Sequence, residues 1–439
     1  MKLPNSTPLT SKFASEFMED IDEKPLKVIE NIIIGNITLE KPSINKISIE
    51  QVKGSSKRTF YRHVHDVAEE VPIIHGKLFA NLQKDRRVAM KRGGVISLDE
   101  HIIPHGSEDI EGVDSFYSTT EDDIMLGHSM LSTHYWSKRV EYPVNFNFYR
   151  RKRELEKWDK EDEFQKKNEI ARELVQKACT NDSFPSLLLM DSYFMTKDNV
   201  LFFKELGLNY ISRPKKNWVC TFKHEKYSMA ELFYTIEDGE FQETLVRNPK
   251  TGGKKVYKTA VRDVFFKKIG THRVVFVKFS GNESEDGLEN DNEVLNVTRE
   301  EEEPVSGKKF AVFVTDLVSW NASQILSRYS LRWTIETGYR DMSQNLGLHG
   351  CKWRELSGHY CFIHLIFICY LFLMWARIHG SLARYGVDFR TLGQMKRVFI
   401  HYCQERFSEW LQEIRSTCEW CPVATWIYEN LYKEGRDRY

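Results

Sequence analysis

Hydrophobic and polar positions along the chain change rhythm several times. To about Lys91 the sequence is polar, with apolar residues recurring at helical spacing. Within that part, ISIEQVKGSSKRTFYRHVHDV predicts two short helices around a tight turn. The first runs near Ser48 to Lys53, Gly54 turns the chain, Ser55 or Ser56 caps, and the second helix covers Lys57 to Val67. Phe60, Val64 and Val67 form an apolar stripe on the second helix, which also carries Lys57, Arg58, Arg62 and His63. A helix-turn-helix sets such a helix into the major groove of DNA. An ordinary amphipathic hairpin produces the same pattern.

From Gly93 the period shortens. GGVISLDEHII is an apolar run that ends in acids, FYS follows, and YPVNFNFY alternates as a strand does. A charged helix is predicted over Glu154 to Ala178. SLLLMDSYF then gives an apolar strand with Asp191 at its end, TKDNVLFFKELG a helix capped by Thr196 and closed by Gly207, and NYISRPKK a further strand. Antiparallel strands followed by alternating helix and strand describe a mixed α/β layer. About Trp218 to Val318 reads as a strand-rich insertion, and from Ser323 the pattern is helical again. Tyr360 to Ala376 (YCFIHLIFICYLFLMWA) holds one plainly polar residue, His364, and is short for a membrane span of roughly 20 residues. A helix buried in a large core accounts for it.

The chain has 439 residues and a mass of 51.7 kDa, enough for two or three domains. Lys+Arg and Asp+Glu are both 63, so net charge says nothing about partners, whereas its distribution does. Tyr210 to Ser280 carries 15 Lys/Arg against 7 Asp/Glu, a balance suited to a phosphate-facing surface; Arg213, Lys215 and Lys216 open it. Gly281 to Glu303 reverses the sign with ten acids and one base, Arg299, as a solvated loop would. Eight cysteines are scattered without a signal peptide, which points to a reduced, cytoplasmic protein. Cys418 and Cys421 have CxxC spacing, but a second pair to complete a zinc site is missing.

Three acids stand out. Asp99 and Asp191 each follow an apolar run, at or just past a strand end, where a carboxylate is both fixed and reachable. Glu336 lies on a helix with Tyr329, Arg332, Arg340 and Ser343 at steps that place all five on one face. Singly, each acid reads equally as a turn residue or an ion-pair partner. Together they suit phosphodiester chemistry, in which Mg²⁺ takes hard oxygen ligands and two ions about 4 Å apart serve an in-line displacement.

At these residues the sequence resembles the DDE transposases of prokaryotic insertion sequences, in the IS-four-type branch with its Tyr-Arg-Glu-Lys motif. Tyr329, Arg332 and Glu336 fit that motif within RYSLRWTIETGYRDMSQNLGL. GVISLDEHIIPHGSEDIEGV resembles the block of the first aspartate, and LLLMDSYFMTKDNVLFFKELGLNYISRPKKN that of the second. The resemblance runs from about Gly93 to Leu373. It departs at the motif's last position, where Ser343 replaces lysine and Arg340 stands one turn nearer Glu336. The residue after Asp99 is Glu100, a second acid beside the preferred ligand.

The resemblance implies a ribonuclease H-like core, interrupted by a β-rich insertion and flanked by helical regions. The corresponding segments are 1–91 (helical, DNA-binding), 92–217 (core, first part), 218–320 (insertion), 321–378 (core, second part) and 379–439 (C-terminal helices). It implies Asp99, Asp191 and Glu336 as catalytic metal ligands for Mg²⁺ or Mn²⁺, with Tyr329 and Arg332 on phosphates near the cut. Binding of terminal inverted repeats, cleavage at the ends and transfer of the 3′-OH into target DNA would follow, by a homodimer across two paired ends. Double-stranded DNA is the expected partner, in the nucleoid, with no membrane or small-molecule substrate. Stacking of a flipped base is a family feature for which Trp218 and Trp320 are candidates, although core packing explains both. The other reading is a catalytically impaired or domesticated copy that binds DNA, which Ser343 favours and three intact acids oppose.

Overall fold

The computed structural model describes residues 6–40, 42–50, 57–118, 122–179, 184–279, 310–382, 385 and 391–417. The turn at Gly54 with its serines, the acidic run after Gly281, and Cys418 and Cys421 lie outside these residues. The chain divides into two compact units: Met1–Ala89 with Tyr339–Tyr439, and Met90–Gly338.

The first unit begins with α1 (Pro8–Phe17), α2 (Glu23–Thr38), α3 (Ile44–Glu50), α4 (Lys57–Asp66) and α5 (Val71–Leu82). Thr7 caps α1 by accepting from the Thr10 amide at 3.2 Å, and Pro8 pre-sets its first turn. The predicted hairpin is displaced at its first helix. α3 starts at Ile44 rather than near Ser48, because Ile44 and Ile47 turn inward and Ser43 caps the Lys46 amide at 3.2 Å. α4 starts at Lys57 as expected and buries Phe60 and Val64, with Val67 buried just beyond it, while Arg58 and Arg62 are exposed.

The second unit is built on a mixed sheet. β1 (Val95–Pro104), β2 (Asp114–Ser118), β3 (Asp123–Trp136) and β4 (Glu141–Tyr149) form an antiparallel group. The predicted charged helix breaks in two, α6 (Lys152–Lys157) and α7 (Lys167–Ala178), because Asp159 adopts a left-handed φ of 54° between them. β5 (Leu187–Met190), α8 (Lys197–Glu205) and β6 (Asn209–Ser212) follow, with β5 parallel to both β1 and β6. Thr196 caps α8 through the Asn199 amide, as predicted.

Next come β7 (Val219–Phe222), β8 (Glu225–Ser228), α9 (Met229–Tyr234), β9 (Gln242–Arg247), β10 (Lys254–Phe266), β11 (Gly270–Lys278) and β12 (Phe310–Thr315). These strands do not form a sheet of their own: β12 pairs with β6, and the order β2-β3-β1-β5-β6-β12-β11-β10-β7-β8 is continuous among the described residues. All four β5 and all six β12 residues are buried, as befits strands covered on both faces. α10 (Ala322–Tyr329), capped by Asn321, packs Ile325 and Leu326 onto Ile211, Val275 and Phe313. A short 3-10 turn then leads into α11 (Trp333–Asp341).

The chain returns to the first unit with α12 (Leu356–Ile378) and α13 (Leu392–Thr417). α12 is the long apolar run and is 83% buried over its most hydrophobic window. A helix apolar on every side packs on every side: Phe372 meets Phe13 of α1 at 5.3 Å and Phe399 of α13 at 5.1 Å between ring centres. The sequence segment 321–378 is thus shared, its beginning with the sheet and α12 with the N-terminal helices.

Candidate active site

The parallel strands bring two of the acids together. Leu98 of β1 pairs with Met190 of β5, and Met190 with Ser212 of β6. The next positions, Asp99, Asp191 and Arg213, therefore fall in one row, with neighbouring strands about 4.8 Å apart. Asp99 is not at a strand end, as its sequence context suggests, but inside the ten-residue β1. It is β5 that stops, at Met190, and its end opens the space beside Asp99.

Strand alternation separates the two adjacent acids. Asp99 faces Arg332, whereas Glu100 points to the other face, where it takes Lys167 Nζ at 2.5 Å and the Ser129 hydroxyl at 2.6 Å. Lys167 is held there by the rings of Tyr149 and Tyr193, 4.9 and 5.5 Å away. Asp114 is likewise engaged elsewhere, in a two-pronged pair with Arg153.

Arg332 binds the third acid to the first. Its Nη1 donates to Asp99 Oδ2 at 2.5 Å and its Nη2 to Glu336 Oε1 at 2.6 Å, so both carboxylates lie within the span of one guanidinium. The three side chains are 10% (Arg332), 14% (Asp99) and 27% (Glu336) exposed. Burial, opposed by Arg332 and reinforced by the negative charge of Glu336 and Asp191, pushes the Asp99 carboxyl up to about 7. Burial works against the Arg332 charge, but Glu336, Tyr329, Asp99 and Asp191 together hold its guanidinium firmly protonated. Three acids therefore act on one another around a single cation. The hard oxygen set, three acids against one guanidinium, fits a divalent cation.

Several expected residues sit differently. The stripe from Tyr329 to Ser343 is not one helical face, because the backbone passes from α10 through the 3-10 turn Ser330–Arg332, then α11, then a π-helical stretch Met342–Leu346. The change of pitch keeps Arg332 and Glu336 in contact but turns Tyr329 into the core, 5% exposed, with its ring 4.9 Å from Phe313. Tyr329 is thereby a wall behind Arg332, 6.0 Å from its guanidinium, rather than a surface contact. Arg213, expected on the basic surface, is 5% exposed and lies 5.9 Å from the Phe313 ring. Lys215 is exposed and Lys216 partly so, its Nζ 5.1 Å from the Phe310 ring. Trp218 and Trp320 are half-buried, Trp218 edge-on to Phe266 and Trp320 against the sheet's core. Arg340 is exposed in the last turn of α11, and Ser343 Oγ lies 3.1 Å from His349 Nε2.

Sequence reasoning missed His134. Its ring lies fully buried where α11 crosses β3, and a Cβ on Gly338 would stand 2.8 Å from His134 Cε1. Only a residue without a side chain lets α11 approach so closely two positions after Glu336. A lone histidine in an alternating strand gives no sequence signal of this.

Residues 165–372 match the family model of the transposase DDE domain. The matched span holds Asp191, Arg332 and Glu336 and begins after Asp99. The match supports a transposase function, which carries with it DNA binding and the cutting and joining of strands. No curated protein matches the chain.

Proposed function

We propose that this chain is a DDE transposase that recognises the terminal inverted repeats of a mobile element, cuts DNA at the ends and joins the freed 3′-OH to target DNA. The observation that carries the reading is the meeting of Asp99 and Glu336 on Arg332, with Asp191 beside Asp99 in the parallel register of β1 and β5. The order β4-β3-β1-β5-β6, antiparallel on one side of β1 and parallel on the other, supports a ribonuclease H-like core for it. Asp99, Asp191 and Glu336 would hold Mg²⁺, or Mn²⁺ in its place. Bound there, the ions supply Lewis-acid activation of the attacking and leaving oxygens of a phosphodiester.

The chain's own residues do the rest. Arg332 fixes the orientation of the Asp99 and Glu336 carboxylates before DNA arrives, so less rearrangement is needed on binding. Arg213, in the same row as the aspartates, adds positive charge at the floor of the site. Lys215 and Lys216 follow on its rim and suit the incoming backbone. α4, with Lys57, Arg58 and Arg62, is the element for recognition of the repeats, in a helical domain covering 1–91. A homodimer would pair the two ends.

The test is Asp191→Asn assayed on duplex that contains the element's ends, with Mg²⁺. The variant should bind the ends as the wild type does and leave them uncut. Equal cleavage by both proteins would sink the assignment.

A further inference from the structure

The helical unit holds a cleft of about 660 Å³ that the catalytic reading leaves unused. Asn45, Tyr61 of α4, Ser343, His349, Lys352 and Trp353 line it. Lys352 is exposed and carries the cleft's fixed charge; among the described lining residues none is acidic. A cleft whose rim carries a lysine and whose described lining has no acid suits an anion.

The loop bearing Lys352 is held in place. Trp353 lies against the first turn of α12 at Gly358, where a Cβ would come within 1.7 Å of its ring. Its carbonyl accepts from His359 Nε2 at 2.8 Å, and Cys351 Sγ donates to the Gly358 carbonyl at 3.9 Å. On the other side the Trp353 ring meets the His65 ring of α4, 5.9 Å between centres and tilted by 37°. The loop and α4 are thus packed on each other. α4 turns Arg58 and Arg62, four residues apart and both exposed, outward on one side.

We propose that α4 and the loop 349–354 form one duplex-DNA surface, in which Arg58 and Arg62 lie along the duplex and Lys352 holds a backbone phosphate at the adjoining cleft. Ser343 and His349, already in contact, are among the cleft's hydrogen-bonding groups. The inference rests on the reading of α4 as the recognition element, and it adds a second segment, distant in sequence, to that surface. Lys352 then supplies a cation at the cleft that Ser343 lines.

The experiment uses the full-length protein in EDTA, so that no cleavage intervenes. Binding to a fluorescent mixed-sequence duplex of about 30 base pairs is followed by anisotropy across a salt series. Each phosphate contact contributes about 0.9 to the slope of log K against log salt, or about 8-fold in affinity near 0.1 M. Lys352→Gln should therefore bind about 5- to 10-fold more weakly near 0.1 M salt with a slope shallower by about 0.9, and Lys352→Arg should restore both. Arg62→Gln combined with Lys352→Gln should flatten the slope by about twice as much. If Arg62→Gln weakens binding while Lys352→Gln leaves affinity and slope unchanged, the loop is outside the surface and the proposal is wrong. The α4 reading would survive that result. If Arg62→Gln also changes nothing, both fall. Mg²⁺-dependent cleavage by the wild type, measured separately, then tells whether the catalytic reading stands without them.

Discussion

Arg332 bridges two of the site's acids, and Arg332→Gln shows how much that bridge contributes. The substitution removes two charge-assisted hydrogen bonds, at 2.5 and 2.6 Å, from carboxylates that are largely buried. Such bonds are worth about 1.5–3 kcal/mol each, and removing one partner from a buried ion pair costs about 3–5 kcal/mol. The variant should therefore lose about 3–5 kcal/mol at pH 8 without divalent cations. The loss depends on pH in a fixed direction. The Asp99 carboxyl stands at about 7, above the ordinary value of 3.8, so its contribution to stability is fully present below pH 3.8 and is lost as pH rises through 7. Without Arg332 that carboxyl moves higher still, so the gap between variant and wild type should widen from pH 6 to pH 8.

Urea unfolding followed by tryptophan fluorescence measures this, with NaCl matching the ionic strength of each Mg²⁺ sample. A ligand at about 100 times its dissociation constant returns about 2.7 kcal/mol. Mg²⁺ should stabilise the variant more than the wild type, since the guanidinium no longer neutralises those carboxylates. Equal midpoints for the two proteins at pH 8, or no stabilisation of either by Mg²⁺, would refute the claim that Arg332 neutralises an acid cluster built for a cation.

Two further substitutions or titrations bear on the same frame. Gly338→Ala places a Cβ 2.8 Å from the buried His134 ring, so about 1–3 kcal/mol of stability should be lost. α11 should also shift enough to lower cleavage; His134→Ala in the same chain should recover part of both, and full activity in the single variant would contradict the tight crossing. Burial holds His75 at about 4, His134 at about 3 and His272 at about 4, and also lowers His364. Their folded values lie below the ordinary 6.5, so stability should fall as pH drops from 6.5, by up to about 1.4 kcal/mol per pH unit for each. A urea midpoint unchanged between pH 6.5 and pH 4.5 would mean these rings are not buried and neutral.

The sequence by itself determined the elements whose signal is local. The apolar run before Asp191, the Thr196 cap and the alternation in YPVNFNFY each specify their own strand or helix, because period and capping are properties of neighbouring residues. It also singled out Asp99, Asp191 and Glu336, through their context and the resemblance that context carries. The tertiary structure decided what depends on pairing between distant segments. The parallel register of β1, β5 and β6 aligned Asp99 with Asp191 and drew Arg213 inward beside them. It also joined the insertion strands to the core sheet through β12, and no local pattern encodes a strand's partner. The change of pitch between α10 and α11 kept Arg332 on Glu336 while burying Tyr329. Long-range packing likewise set Trp353 against His65, two residues whose proximity no spacing in the sequence foretells.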